Sequence, residues 1–389
     1  MKQLMLSPCA SFRLMRRSVA VCSLGLCAFL VAISASAASF DYSGFASIVA
    51  GKTFGACAQN VTVSDFYSSP CTRYVADWAH GGVYTPDISL KPDSKVGLQG
   101  SLTFSNHFSA TAQVVGRLAD GAAVDLEWAY VTYDASPAWT FQVGRKRLPL
   151  YYFSASQDVG YTYPWVRLPP DIYGWDAVNY NGVNATYRKQ LGEWSLKSNL
   201  FAGDETTRNS SYAKLSYNEP KDVKWENIRG ADLELAREWF TTRLTYIVSD
   251  YQQIDHTSGE PDVLPSGNTK GKQIIYGIAV NLDINAWLVR SEYSVFDRSN
   301  FLEKSKAWMI GVGRRFGKFT PMVTASSYAE TTPFPDNYTP VNWTTQALSL
   351  RYELTSSSAL KFEIDRLRDG PNTYAGDANV IAMSYDVIF

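Results

Sequence analysis

The residues best placed to do chemistry are charged ones that recur at every second position inside apolar segments. In 342–353 and just beyond, Ala347, Ser349, Arg351 and Glu353 alternate with Leu348, Leu350, Tyr352 and Leu354. In 239–250, Thr241, Arg243, Thr245 and Ser249 oppose Phe240, Leu244, Tyr246 and Val248, and in 285–297 Arg290 and Glu292 oppose Trp287, Val289, Tyr293 and Val295. A β-strand sends successive side chains to opposite faces, so each segment carries one apolar and one charged face. The charged faces hold Arg117, Lys197, Arg243, Arg290, Arg315 and Arg351 against Asp125, Glu127, Asp232, Glu234, Glu292, Glu353, Glu363 and Asp365. Ringed around one enclosed space, such charges orient water and set ion preference. Alternatively, each arginine pairs with a neighbouring carboxylate and braces the wall. The sequence leaves both open.

Nucleophilic catalysis is the weaker chemistry. The histidines are His80, His107 and His256, and each falls in a loop or turn, whereas a His-assisted nucleophile needs its base fixed within hydrogen-bond reach. A lipid hydrolase is therefore a remote alternative, and no cofactor is expected. Cys57 and Cys71 lie in a Ser/Thr/Asn-rich stretch without His or carboxylates at ligand spacing. They read as one disulfide closing a 15-residue ring, worth about 3 kcal/mol by chain entropy.

The elements that must position the charges recur with a rhythm of about ten alternating residues. Sixteen strands are predicted: 40–51, 94–105, 108–117, 124–133, 138–146, 175–188, 193–202, 225–237, 239–250, 271–283, 285–297, 305–316, 318–329, 342–353, 359–368 and 378–389. Short gaps such as Asn106-His107, Glu238, Ile284 and Gly317 alternate with longer ones such as 52–93, 147–174 and 203–224. Fourteen or eighteen strands are also compatible, because 52–93 has room for a hairpin at 74–88. After the first 37 residues no run reaches the ~18 apolar residues of a spanning helix. An antiparallel barrel closed on itself satisfies every backbone group in lipid, so the fold class expected is an all-β transmembrane barrel with a wet interior.

The ends agree. Arg13, Arg16 and Arg17 precede an apolar stretch, 19–33, and Ala35-Ser36-Ala37, the pattern of a secretory signal peptide over 1–37. Met15 is an alternative start. Without that segment the chain keeps 32 basic and 37 acidic residues, a net of −5, which excludes a nucleic-acid footprint. Residues 38–389 carry no linker or low-complexity tract and form one domain. Aromatics make up 14% of the chain, with 24 Tyr and 11 Trp, and suit the girdles at a membrane interface.

The final strand places Ile381, Met383, Tyr385, Val387 and Phe389 on one face, and this end resembles the C-terminal signal of Gram-negative outer-membrane β-barrels. The stretch Val143-Gly-Arg-Lys-Arg-Leu-Pro-Leu-Tyr-Tyr, Asp158-Val-Gly-Tyr and Tyr163-Pro-Trp-Val-Arg resembles the third-loop region of gammaproteobacterial porin-like outer-membrane proteins. The resemblance implies a sixteen-stranded barrel, trimeric among outer-membrane lipid and lipopolysaccharide, with the third loop folded into each pore. It also implies passive passage of small hydrophilic solutes and ions. A substrate-selective uptake channel for an anionic nutrient is the alternative. Loop 147–174 is too apolar to extend into water, so it is expected to pack inward. Asp158, Asp171 and Asp176 would then face a basic wall of Arg243, Arg290, Arg315 and Arg351. An external lid or a trimer contact is the other reading of this loop.

Overall fold

The computed structural model describes residues 38–55, 73–119, 123–370 and 376–389. The segment read as a signal peptide, and Cys57 and Cys71, lie outside the described residues. The strands run β1 Ser39–Phe54, β2 Tyr74–Asp77, β3 Gly82–Tyr84, β4 Lys95–Thr103, β5 Phe108–Arg117, β6 Val124–Asp134, β7 Trp139–Arg147, β8 Asn179–Leu191 and β9 Trp194–Thr207. They continue with β10 Lys221–Arg237, β11 Phe240–Asp255, β12 Gly271–Ile284, β13 Trp287–Asp297, β14 Lys304–Arg314, β15 Phe319–Thr331, β16 Asn342–Thr355, β17 Ser358–Asp369 and β18 Ala378–Ile388. All sixteen expected segments are present. Each pairs antiparallel with its chain neighbour in the barrel, and β1 closes the ring by pairing with both β4 and β18. Beside Ile388, Phe389 exchanges backbone hydrogen bonds with Gly44 at 2.7 and 3.0 Å, extending the β1–β18 seam. The hairpin suspected between residues 74 and 88 exists as β2–β3, but it forms its own small sheet and adds nothing to the barrel count.

Alternation decides which face meets what. Along β14, Lys306, Trp308, Ile310 and Val312 point out and are exposed, while Ser305, Ala307, Met309 and Gly311 point in and are buried. Exposed Phe108, Trp139, Trp239, Trp287 and Phe319 ring the rim with the short turns. An apolar outer band edged by aromatics is the surface a bilayer selects.

The interior is narrowed by the loop expected to pack inward. The segment 148–178 between β7 and β8 turns into the barrel and carries a buried apolar cluster with it, including Leu148, Phe153, Tyr163, Trp165 and Ile172. The inward positions of β14 and β15 are correspondingly apolar or small. Met309 and Met322 join that cluster, and a Cβ placed on Gly311 would lie 3.2 Å from the Trp165 ring. A Pro- and Tyr-rich segment too apolar for water has found its partner surface inside the barrel. One side of the lumen is packed.

Candidate functional site

Loop 148–178 is held against an arc of wall from β13 round to β1. The Arg351 guanidinium donates to the carbonyls of Tyr161 and Tyr163 (2.5 and 3.1 Å), and the Lys361 ammonium donates to those of Gly160 and Trp165 (2.5 and 2.8 Å). The Trp165 indole donates to Thr324 Oγ1 at 2.7 Å, and the Val166 amide to Glu363 at 3.0 Å. Arg167, itself on the loop, reaches Asp93 (2.8 Å), Glu363 (3.2 Å) and Asp365 (2.7 Å). On β13, Glu292 accepts from the Tyr152 amide at 2.9 Å and from the Tyr173 hydroxyl. Gly160 sits so close to β1 and β18 that a Cβ would come within 2.1 Å of Asp386 Oδ1 and 2.5 Å of Ser47 Oγ. Only glycine fits there.

The loop carboxylates do not meet the four arginines expected to face them. Asp158 is buried between Arg117 (2.7 Å) and Arg147, with Lys95 at 3.8 Å. Burial opposes its ionisation, but Arg117 and then Arg147 outweigh that and hold the carboxyl well below its usual range. Asp171 accepts from Ser326 Oγ (2.7 Å) and Thr345 Oγ1 (3.0 Å), and burial pushes it up to about 6 despite those bonds. Asp176 lies 3.5 Å from the fully buried Arg298, and burial raises it against that cation. The reason is geometric: the loop crosses the lumen with its acids toward β5, β7, β15 and β16 and the turn after β13.

The arginines themselves divide. Arg117 is 2% exposed and bridges Asp125 (3.2 Å), Glu127 (2.7 Å) and Asp158, so it is a clamp rather than a free charge. His80 Nδ1 pairs with Asp77 at 2.9 Å, and His80, Asp125 and Glu127 bring ligand atoms within 4.8 Å of one another, and both carboxylates are ion-paired with Arg117. Arg351 is the loop anchor described above. Arg290 pairs with Asp283 (3.0 Å) near the short-turn rim. Arg315 falls just past the end of β14, where it is half exposed and also bonds Asp283, at 2.9 Å. Of the four, Arg243 stands beside the open part of the lumen, bonded to Asp232 at 3.0 Å and to the Tyr152 carbonyl at 3.4 Å.

That open part is a chamber of about 190 Å³ between the loop and β6–β11. Its lining carries Lys146, Arg147, Arg188, Lys197 and Arg243 against one carboxylate, Asp232, with Trp128, Tyr130 and Tyr180 beside them. Lys146 donates to Asn184 Oδ1 at 2.8 Å and sits over the Tyr130 ring, and Arg188 donates to Thr140 Oγ1 at 2.9 Å. Lys146 and Arg188 were missed as lumen charges, although the signal was present: Thr140, Gln142 and Lys146, and likewise Asn184, Thr186 and Arg188, share one parity along their strands. Arg147 is already paired with Asp158 and Glu127, so Lys146, Arg188, Lys197 and Arg243 against Asp232 leave a formal excess of three positive charges, which in a confined polar space attracts anions and repels cations.

No family model matches the chain, and no curated protein matches it. Solved structures do. The outer membrane channel DcaP of Acinetobacter baumannii superposes with a TM-score of 0.58 at 11% identity, over 92% of this chain and 99% of that one. An anion-selective porin from Comamonas acidovorans gives 0.55 at 12% identity, over 90% and 100%. OmpT, an outer membrane protein of Vibrio cholerae in its trimer form, gives 0.54 at 8% identity, over 90% and 99%. At such identities the likeness is one of fold. With its closed ring of sixteen antiparallel strands and its third long loop inside, the chain has the fold of the outer-membrane porins.

Proposed function

We propose that this protein is a porin of a Gram-negative outer membrane, a passive water-filled channel for small hydrophilic solutes and ions that favours anions. The chamber along β6–β11 carries the reading: Lys146, Arg188, Lys197 and Arg243 face one carboxylate, Asp232, in the part of the lumen that the loop leaves open. The charges first expected to line the constriction separate into two roles. Arg243 belongs to the conducting path, and Arg290 and Arg315 to its short-turn mouth. Arg117 and Arg351, with Asp158, Asp171 and Asp176, hold the loop in place and thereby set the path's width. The short turns then lie in the periplasm and the long loops outside.

Export requires removal of 1–37, and we take Cys57 and Cys71 to be joined outside the cell. The protein acts as a homotrimer among lipid and lipopolysaccharide, without cofactor, catalysis or nucleic acid. The basic lining also favours a second reading, selective uptake of an anionic nutrient. Conductance measured against rising concentrations of a dicarboxylate separates the two. A linear rise supports passive diffusion, and saturation in the millimolar range supports a binding site in the channel.

A further inference from the structure

A second cavity, of about 100 Å³, lies above the loop at the long-loop rim and takes no part in the path just described. Six aromatic residues line it: Trp78 beyond β2, Tyr212 and Tyr217 on the helix α1 Ser211–Tyr217, Tyr328 on β15, Tyr338, and Trp343 on β16. The Trp78 ring stands 5.7 Å from both Tyr212 and Trp343. Two carboxylates close the cavity, Glu303 and Glu330. Glu330 is held by neutral donors, the hydroxyls of Tyr328 (2.6 Å) and Tyr338 (2.8 Å) and the Val341 amide (3.0 Å). Glu303 is 3% exposed, and among the described residues its Oε2 has no hydrogen-bond partner.

The local charges do not balance. Arg298 lies 4.0 Å from Glu303 and 3.5 Å from Asp176, so one guanidinium serves two buried carboxylates, while among the described residues Glu330 has only neutral donors. A buried carboxylate oxygen with nothing to accept is costly, and a wall of aromatic rings offers a cation the negative faces of their π-systems. Burial pushes the Glu303 carboxyl up to about 8 against the pull of Arg298, so it holds its proton near neutrality and a cation beside it would favour its release. An anion would oppose the ionisation of both acids. A neutral solute would leave the deficit in place. Tyr217 and Tyr338 also line a wide vestibule of about 750 Å³ at the same rim, which gives a ligand its way in.

We propose that this cavity binds a small organic cation, an alkylammonium group, between the rings of Trp78, Tyr212 and Trp343 and the unpartnered oxygen of Glu303. The site is distinct from the basic chamber, and its test reads binding in detergent rather than permeation, so either reading can fail without the other.

The test compares choline with 3,3-dimethyl-1-butanol, its uncharged isostere, by calorimetry and tryptophan fluorescence on the purified full chain. Choline should bind saturably and at least about tenfold more tightly than the isostere, since the difference is the cation's interaction with rings and carboxylate in a desolvated site. Glu303→Gln should abolish that preference while heat-dependent gel mobility shows the barrel still folded. Equal affinity for the two probes, or no binding of choline at concentrations where the isostere binds, would overturn the proposal, as would absence of binding by both. Should Glu303→Gln not fold, the wild-type probe pair still decides, and Tyr212→Ala, on the short helix α1, supplies the second variant. Unchanged choline affinity in Tyr212→Ala would count against the cage.

Discussion

Lys197→Glu should turn the channel's preference from anions towards cations, and the chamber's size sets how far. A volume of about 190 Å³ corresponds to a sphere of radius about 3.6 Å, so an ion at its centre lies about 5 Å from the lining charges. Among the described residues Lys197 has no ion-pair partner, so its reversal leaves the loop's anchors untouched. Reversal changes the local charge by two, which at about 5 Å in water-like dielectric is about 1.7 kcal/mol for each monovalent ion, opposite in sign for cation and anion. At 0.1 M salt the Debye length of about 10 Å reduces the combined effect from about 3.3 to about 2 kcal/mol, or about 30-fold in the permeability ratio. At 1 M the Debye length of about 3 Å leaves about 0.6 kcal/mol, or about threefold. The assay is the zero-current potential across a planar bilayer under a KCl gradient, at both mean salt concentrations. Lys270→Glu supplies the control, because Lys270 is half exposed, pairs with Glu226 at 2.6 Å and stands in an outer loop. Equal shifts from both substitutions, or a Lys197→Glu shift that does not shrink with salt, would refute the placement of the path along β6–β11.

Three further outcomes follow from the loop and its surroundings. Lys361→Met leaves Asp386 without the cation 3.1 Å away and frees two loop carbonyls; it should cost about 3 kcal/mol of stability, read by urea or heat titration on gels, and raise conductance as the loop loosens. Asp171, raised to about 6 in the fold from 3.8, contributes stability that is fully present below about pH 4 and is lost as pH rises through 6. Asp171→Asn should remove that dependence, gaining up to about 3 kcal/mol relative to wild type between pH 3.5 and 7.5. Peptide mass spectrometry without reduction should find Cys57 linked to Cys71, and replacing both should lower heat resistance while leaving conductance unchanged; two free thiols would contradict the pairing.

The strands were legible because their period is the simplest physical signal a sequence carries. A face that must meet lipid and a face that must not leave an alternation that turns and girdle aromatics punctuate, and the ends of β5 and the start of β12 fall where the alternation put them. The inward course of loop 148–178 was legible for a related reason, since so many Tyr, Trp and Pro residues need a surface to cover. Partners were not legible. Parity says that Arg351 points inward, but not that it reaches the carbonyls of Tyr161 and Tyr163, 190 and 188 residues away. Asp158 likewise shows as a loop acid, and only closure of the ring brings it between Arg117 and Arg147. Which side of the lumen the loop fills depends on the seats that Gly311, Met322 and Gly160 offer, and small residues on an inward face give no alternation that stands out. The open side is what remains, and Lys146 and Arg188 gain their place only once the loop's position is known.

The central claim is that the open lumen beside the loop is basic and conducts. The zero-current potential of the wild-type protein in a planar bilayer, at low salt under a KCl gradient, tests it most directly. The account predicts open, ohmic channels whose potential takes the sign of chloride preference and moves towards zero as salt rises. A potential of the potassium sign, or a correctly folded barrel that passes no current, would contradict it.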